Sequence, residues 1–152
     1  MNKYYAKKAT WGTETFDSIA ERDYYLILLS RLQKGEILSL RRQPKYVLLE
    51  GFTKQGKTYR PIVYTADFEV THRNGCVEVI DVKSTVTETE AFSIRLRLFE
   101  AKYPELRLVR IRNVPKFGGW ITHEEYLRKK KEERKAERRV AERAVNHARR
   151  RY

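Results

Sequence analysis

A single cysteine, Cys76, stands in 152 residues, so the chain forms no internal disulfide and offers no cysteine-rich zinc site. That suits a reducing compartment. Long apolar runs are missing too. The longest, residues 24–29, is far short of the roughly 20 residues a membrane span needs, and the first eight residues lack the apolar stretch of a signal peptide. A cytoplasmic protein with no membrane partner is expected. Histidine is scarce, and His72, His123 and His147 share no ligand-like spacing, which leaves no basis for a zinc site or a histidine nuclease. Global disorder is excluded as well, because 41% of the residues are hydrophobic, as in an ordinary globular protein.

Positive charge is what the chain has in excess. Against 20 Asp and Glu stand 33 Lys and Arg, a net charge of +13 and a pI near 9.9, which points to a polyanionic partner. The excess is spread along the chain: residues 122–152 hold 12 basic and 6 acidic residues, and the rest of the chain is basic as well. A ribosomal protein, a nuclease and a membrane-surface binder fit such a balance equally, so the choice falls to the chemistry of particular residues.

After a basic, aromatic lead of about a dozen residues, Ser18-Ile19-Ala20-Glu21 has the spacing of a capping box. Behind it runs an apolar stripe at Ala20, Tyr24, Ile27, Leu28 and Leu32, which predicts a helix ended by Gly35. β-rich runs follow at residues 46–49, 62–70 and 77–82. Gly51, Gly56 and the pair Asn74-Gly75, a hairpin-turn signal, separate them, and a three-strand meander is the economical reading. Phe92, Leu96 and Phe99 recur at helical spacing up to Tyr103-Pro104, and residues 106–111 alternate like a further strand. The predicted class is therefore α/β, in the order helix, three strands, helix, strand. Gly118-Gly119 marks a break, giving a domain over residues 1–121 and a basic helical tail over residues 122–152.

Asp67 follows the β run Ile62-Val63-Tyr64-Thr65-Ala66, and the next strand ends Asp81-Val82-Lys83, where period two puts Asp81 and Lys83 on one face. Counting outward from Asn74-Gly75 brings Asp67 near Asp81. Two carboxylates in one place repel, and a divalent cation is the usual remedy. Mg²⁺ suits hard oxygen ligands, while a lysine beside it can orient or deprotonate water. An ordinary cross-strand salt bridge is the other reading of the same spacing. Glu69 and Glu78 are further acids near this position.

The pattern Tyr64-Thr65-Ala66-Asp67-Phe68 followed by Glu78-Val79-Ile80-Asp81-Val82-Lys83 resembles the signature of the PD-(D/E)XK nuclease superfamily. Phe16-Asp17-Ser18-Ile19-Ala20-Glu21, Gln43-Pro44-Lys45-Tyr46 and Tyr103-Pro104 look like a phage-associated branch of it, often carried as a domain of unknown function. The layout is similar to phage endonuclease I Holliday junction resolvases. The resemblance covers most of residues 16–112 and implies a restriction-endonuclease-like core. It implies metal binding by Asp67, Asp81 and the Val82 carbonyl, with Mg²⁺ as cofactor and Mn²⁺ as a substitute. Lys83 would handle the water and Glu21 would complete the site. It also implies a phage or prophage endonuclease acting on branched DNA as a homodimer in the bacterial host. Ala66 replaces the proline of the motif, Ser84 stands where a glycine often follows the lysine, and Glu21 is equally the closing residue of the capping box. A nuclease for linear DNA and a non-catalytic DNA-binding or packaging protein are the alternatives.

Gly51-Phe52-Thr53-Lys54-Gln55-Gly56-Lys57-Thr58 matches the P-loop pattern as text. A P-loop needs a helix opening at Lys57-Thr58, yet Tyr59-Arg60-Pro61-Ile62-Val63-Tyr64 is aromatic, β-branched and interrupted by proline. A hairpin is predicted there, with no bound nucleotide. Candidate phosphate contacts are Arg41, Arg42, Arg95, Arg97 and Lys102 around the site, and Arg149, Arg150 and Arg151 at the tail's end.

Overall fold

The computed structural model of the chain describes residues 8–83 and 89–149. The protein is mixed α/β and divides into two compact units, Met1–Arg112 and Asn113–Tyr152.

The first unit opens with a hairpin of β1 (Ala9–Trp11) and β2 (Glu14–Phe16), which starts within the basic, aromatic lead and reaches past it. Helix α1 (Ile19–Gln33) starts as predicted. Ser18 Oγ accepts from the Glu21 N–H at 3.1 Å, and the Glu21 carboxylate accepts from the Ser18 hydroxyl at 3.1 Å and from the Asp17 N–H at 3.2 Å. Its buried face is narrower than the apolar stripe suggests, since Tyr24 and Leu28 are buried but Ile27 is exposed. Gly35 takes φ +69° just past the helix end, where a left-handed residue is needed.

There follow β3 (Ile37–Arg42), β4 (Lys45–Leu49), β5 (Phe52–Lys54), β6 (Lys57–Tyr59), β7 (Ile62–Thr65), β8 (Phe68–His72), β9 (Val77–Val82), α2 (Glu90–Lys102) and β10 (Arg107–Val114). The main sheet runs β10-β9-β8-β3 across this unit. β8 is antiparallel to both β3 and β9, and β10 is parallel to β9, a pairing that requires the crossover supplied by α2.

The predicted order of helix, three strands, helix, strand holds for this sheet, but its strands differ from the expected ones. The run at residues 62–70 is two strands, broken at Ala66-Asp67. Its first part, β7, pairs with β4 in a separate two-stranded sheet, while β8 joins the main one. The first strand of the meander is therefore β3 and not residues 46–49. Ile37 is its buried anchor, whereas Leu38 and Arg41 face outward, so the strand reads weakly in sequence.

The core on the α2 side joins Tyr46, Leu48, Tyr64, Ala66, Val79, Phe92 and Phe99. Phe99 is its hub, with ring centroids of Tyr46 at 5.1 Å, Tyr103 at 5.3 Å and Tyr64 at 5.9 Å. Truncating it to alanine removes about 3–5 kcal/mol by the usual cost of a large aromatic cavity. Because Val79 lies in this cluster, the two-residue period sends Asp81 to the same face. Phe16, Tyr25 and Phe68 form a second aromatic group, with centroids 5.1 Å apart for Phe16 and Tyr25 and 6.0 Å for Tyr25 and Phe68.

The second unit holds a 3-10 turn (Pro115–Phe117), β11 (Gly119–Thr122) and α3 (His123–Arg149). Thr122 and Glu125 form a capping box at the start of α3, and Tyr126 packs on Phe117 with centroids 6.0 Å apart. Among the described residues no helix is long and apolar enough to cross a membrane.

Candidate active site

Asp67 occupies the fork where the chain leaves one sheet for the other. On one side the Ala66 N–H donates to Pro44 O at 3.1 Å and the Gln43 N–H to Asp67 O at 2.9 Å. On the other the Asp67 N–H donates to Ile80 O at 3.1 Å. The β8–β9 register pairs Phe68 with Ile80, so one step further sets Asp67 opposite Asp81. That register is fixed at the far end of the hairpin by Gly75 at φ +83° and by the Asn74 side chain accepting from the Cys76 N–H at 3.0 Å. The two carboxylates and Lys83 thus meet at one sheet end, as the strand counting anticipates.

Asp81 is almost fully buried, and Lys83 Nζ lies 2.6 Å from its Oδ2, an atom that accepts no well-formed hydrogen bond. The same ammonium sits 4.4 Å from the centre of the Phe92 ring, an attraction that holds it over the site. Asp67 is half-buried and receives the Val82 N–H on Oδ2 at 2.5 Å. Burial above all, then the negative charges of Asp81 and Glu21, push its carboxyl up to about 8 despite that hydrogen bond and the nearby Lys83 charge. The Tyr64 hydroxyl is buried beside Asp81 and is pushed far up, by burial first and then by the charges of Asp81 and Asp67.

Glu21 is raised by burial, an effect opposed by its bonds to Ser18 and Asp17 and reinforced by Asp17 and Asp81. It is therefore within electrostatic reach of the pair while both of its oxygens serve the helix cap. Glu69 and Glu78 stand apart. Glu69 is taken by Arg41 at 2.9 Å and by the Tyr46 hydroxyl, and Glu78 lies 3.7 Å from His72 Nε2.

The predicted phosphate contacts are placed unevenly. Arg42 is built into the fold: it bonds the Glu14 carboxylate, donates to Thr15 O at 2.7 Å and stacks 4.2 Å over Phe16. Lys102 pairs with Glu50 at 2.8 Å, and Arg95 and Arg97 are exposed on α2. Arg150 and Arg151 lie outside the described residues, as does the side chain of Arg149, whose backbone ends α3. Sequence reasoning missed Tyr64 and Phe92 as neighbours of the carboxylates. It also missed Arg110, which the parallel pairing sets beside Asp81 with its guanidinium 5.9 Å from the Phe92 ring. Period two from Val79 flags the face of Asp81, but no local signal announces a parallel partner.

Among the described residues no three His, Cys, Asp or Glu side chains cluster as metal ligands. The donor set nonetheless fits a hard divalent cation. Two converging carboxylates, one raised by burial and then by the other's charge and one with a buried oxygen lacking a well-formed hydrogen bond, are what Mg²⁺ relieves using one or two protein carboxylates. The P-loop-like stretch is the β5–β6 hairpin, turning at Gln55 and Gly56 with φ of +51° and +74°, and Thr58 lies in a strand instead of opening a helix.

No curated protein and no solved structure matches the chain. A family model does match, over residues 1–119, which include the fork, both carboxylates and Lys83 and stop before α3. The chain belongs to the family described as protein of unknown function (DUF1064).

Proposed function

We propose that the chain is a Mg²⁺-dependent DNA endonuclease with a restriction-endonuclease-like core, acting in the cytoplasm of a phage-carrying bacterial host. One observation carries this reading: Asp67 and Asp81 converge at a sheet end with Lys83 Nζ 2.6 Å from Asp81. A bare salt bridge needs one acid per base. Here a second, desolvated acid is added, at a cost to folding that a structural role does not repay.

Asp67, Asp81 and the Val82 carbonyl are the groups that would hold the cation. When bound, it polarises a phosphodiester and lowers the pKa of water. Lys83, steadied by Phe92, orients or deprotonates the attacking water. Glu21 adds negative charge at the rim of the pair. The net charge of +13 draws the polyanion in.

Branched DNA is the proposed substrate, and a twofold dimer the active species. Exposed apolar side chains at Leu49 and Ile62, paired across β4 and β7, and at Phe52 and Tyr59, stacked on the β5–β6 hairpin, support association with a second copy.

The test is incubation with linear, flapped and four-way DNA in Mg²⁺ or EDTA. Cleavage should need the metal and vanish in Asp81→Ala, while DNA binding persists because negative charge has left the site. Lys83→Ala should lose turnover yet still bind Mn²⁺ in calorimetry. Full cutting in EDTA, or an active Asp81→Ala, overturns the reading.

A further inference from the structure

Helix α3 segregates its charges by function. Three of its six carboxylates are engaged within its own unit: Glu125 caps the helix at Thr122, Glu133 bonds Lys116, and the charge of Glu137 also reaches Lys116. Lys129 is likewise turned inward, donating to Phe117 O at 3.2 Å. Lys131, Arg134, Lys135, Arg138 and Arg139 instead share one exposed stretch of surface that closes at Glu142. Among the described residues none of these five makes an ion pair within 4.0 Å.

This arrangement works against the isolated helix. Lys131, Lys135, Arg139 and Arg143 succeed one another at i,i+4, and Arg134 and Arg138 do the same, so the rows repel along their length. Glu132, Glu137 and Glu142 stand at i,i+3 or i,i+4 from four of the five cations, yet among the described residues none closes an ion pair with them. The described part of this face carries no apolar anchor for a lipid surface either, since Leu127 and Val140, the large exposed hydrophobic residues among the described side chains of α3, do not line it. From Lys131 to Arg139 the helix rises about 12 Å, the length of three to four phosphates along one DNA strand.

We propose that this face of α3 is a sequence-independent docking surface for the phosphate backbone of duplex DNA. It rests on the reading above only for the choice of DNA as the polyanion. It lies outside residues 1–119, which the family model matches. The contacts are those of point charges, and arginine geometry is not required.

The experiment measures binding of the full chain to a labelled random-sequence duplex in EDTA, by anisotropy over a series of NaCl concentrations. Replacing all five cations by glutamine should flatten the slope of log affinity against log salt by about 3, at roughly 0.9 per phosphate contact over three to four phosphates. Changing Arg134, Arg138 and Arg139 to lysine should leave the slope as it is. A matched control, Lys54, Lys57 and Arg60 to glutamine on the β5–β6 hairpin, should change it little. An unchanged slope in the five-fold variant, with helicity intact by circular dichroism, overturns the proposal. So does an equal loss per charge in the control, which would mean net charge alone. These outcomes are read without metal or cleavage, so a failed nuclease and a failed docking surface give different results.

Discussion

The backbone N–H of Val82 donates to Asp67 Oδ2 at 2.5 Å, so the last residue of β9 fixes the carboxyl that stands just before β8. The bond favours the charged form, yet the carboxyl still titrates at about 8, because burial and two neighbouring acids outweigh it.

A pH dependence follows. The unfolded chain releases the Asp67 proton near pH 4, whereas the folded one keeps it to about 8. Through that window the native state binds more protons than the unfolded state, so this group makes stability fall as pH rises, with no contribution to the slope below or above. In thermal melts without divalent cations, Asp67→Asn should remove that part of the slope. Mg²⁺ must displace the proton, so its stabilisation of the wild type should grow from about pH 6 to pH 8 and then level off. A Mg²⁺ effect independent of pH contradicts this.

Glu21 has two separable roles. Glu21→Gln keeps hydrogen-bonding atoms where the cap needs them and removes the charge. Glu21→Ala removes both, with a loss of about 0.5–2 kcal/mol for a broken cap. The expected result is a melting temperature preserved in the first and lowered in the second, with cleavage reduced in both. Wild-type cleavage by Glu21→Gln would leave Glu21 as a cap only.

The pairing of Asp67 with Asp81 was legible because a local signal, Asn74-Gly75, sets the register of a hairpin whose arms are adjacent in sequence. What escaped depends on distant partners. Nothing in Ile62 to Val70 says that its first half will pair with β4 and its second with β3 and β9, and the break at Ala66-Asp67 appears only with both sheets in place. β3 went unread because a strand with one deeply buried residue has no full alternation to show. The arginines were legible as charge but not as contacts, which is why Arg42 turns out to be part of the framework.

Arg42 gives a prediction of its own. Its guanidinium binds β2 through Glu14 and Thr15 and covers Phe16, so Arg42→Ala should destabilise the fold by roughly 1–3 kcal/mol. The salt slope of DNA binding should stay as in the wild type. A slope lowered by about one, with the melting temperature unchanged, would make Arg42 a phosphate contact instead.

The β5–β6 hairpin predicts a negative result for nucleotide. Lys57 Nζ lies 5.2 Å over the Tyr59 ring at the hairpin's exposed tip, and Lys57-Thr58 continue as a strand instead of opening a helix that could receive a phosphate. Lys57→Ala should leave cleavage intact, and calorimetry should detect no ATP binding in either protein. ATP binding weakened by this change would revive an NTPase.

Oligomeric state and substrate shape are joined in the last prediction. Each chain carries one Asp67–Asp81 pair, while resolving a four-way junction takes nicks in two strands of like polarity, which a twofold dimer supplies. The exposed Leu49, Phe52, Tyr59 and Ile62 give such a dimer apolar side chains to bury, and breaking it should not touch the carboxylates. Phe52→Lys with Ile62→Lys should therefore yield a folded monomer by light scattering. That monomer should still nick flapped DNA but lose paired cuts on a junction. No recognition-helix pattern is present in the sequence, so the wild type should prefer a four-way junction over a linear duplex whatever its bases. Equal affinity for both DNAs, or a wild-type monomer at working concentration, would remove the resolvase and leave the nuclease standing.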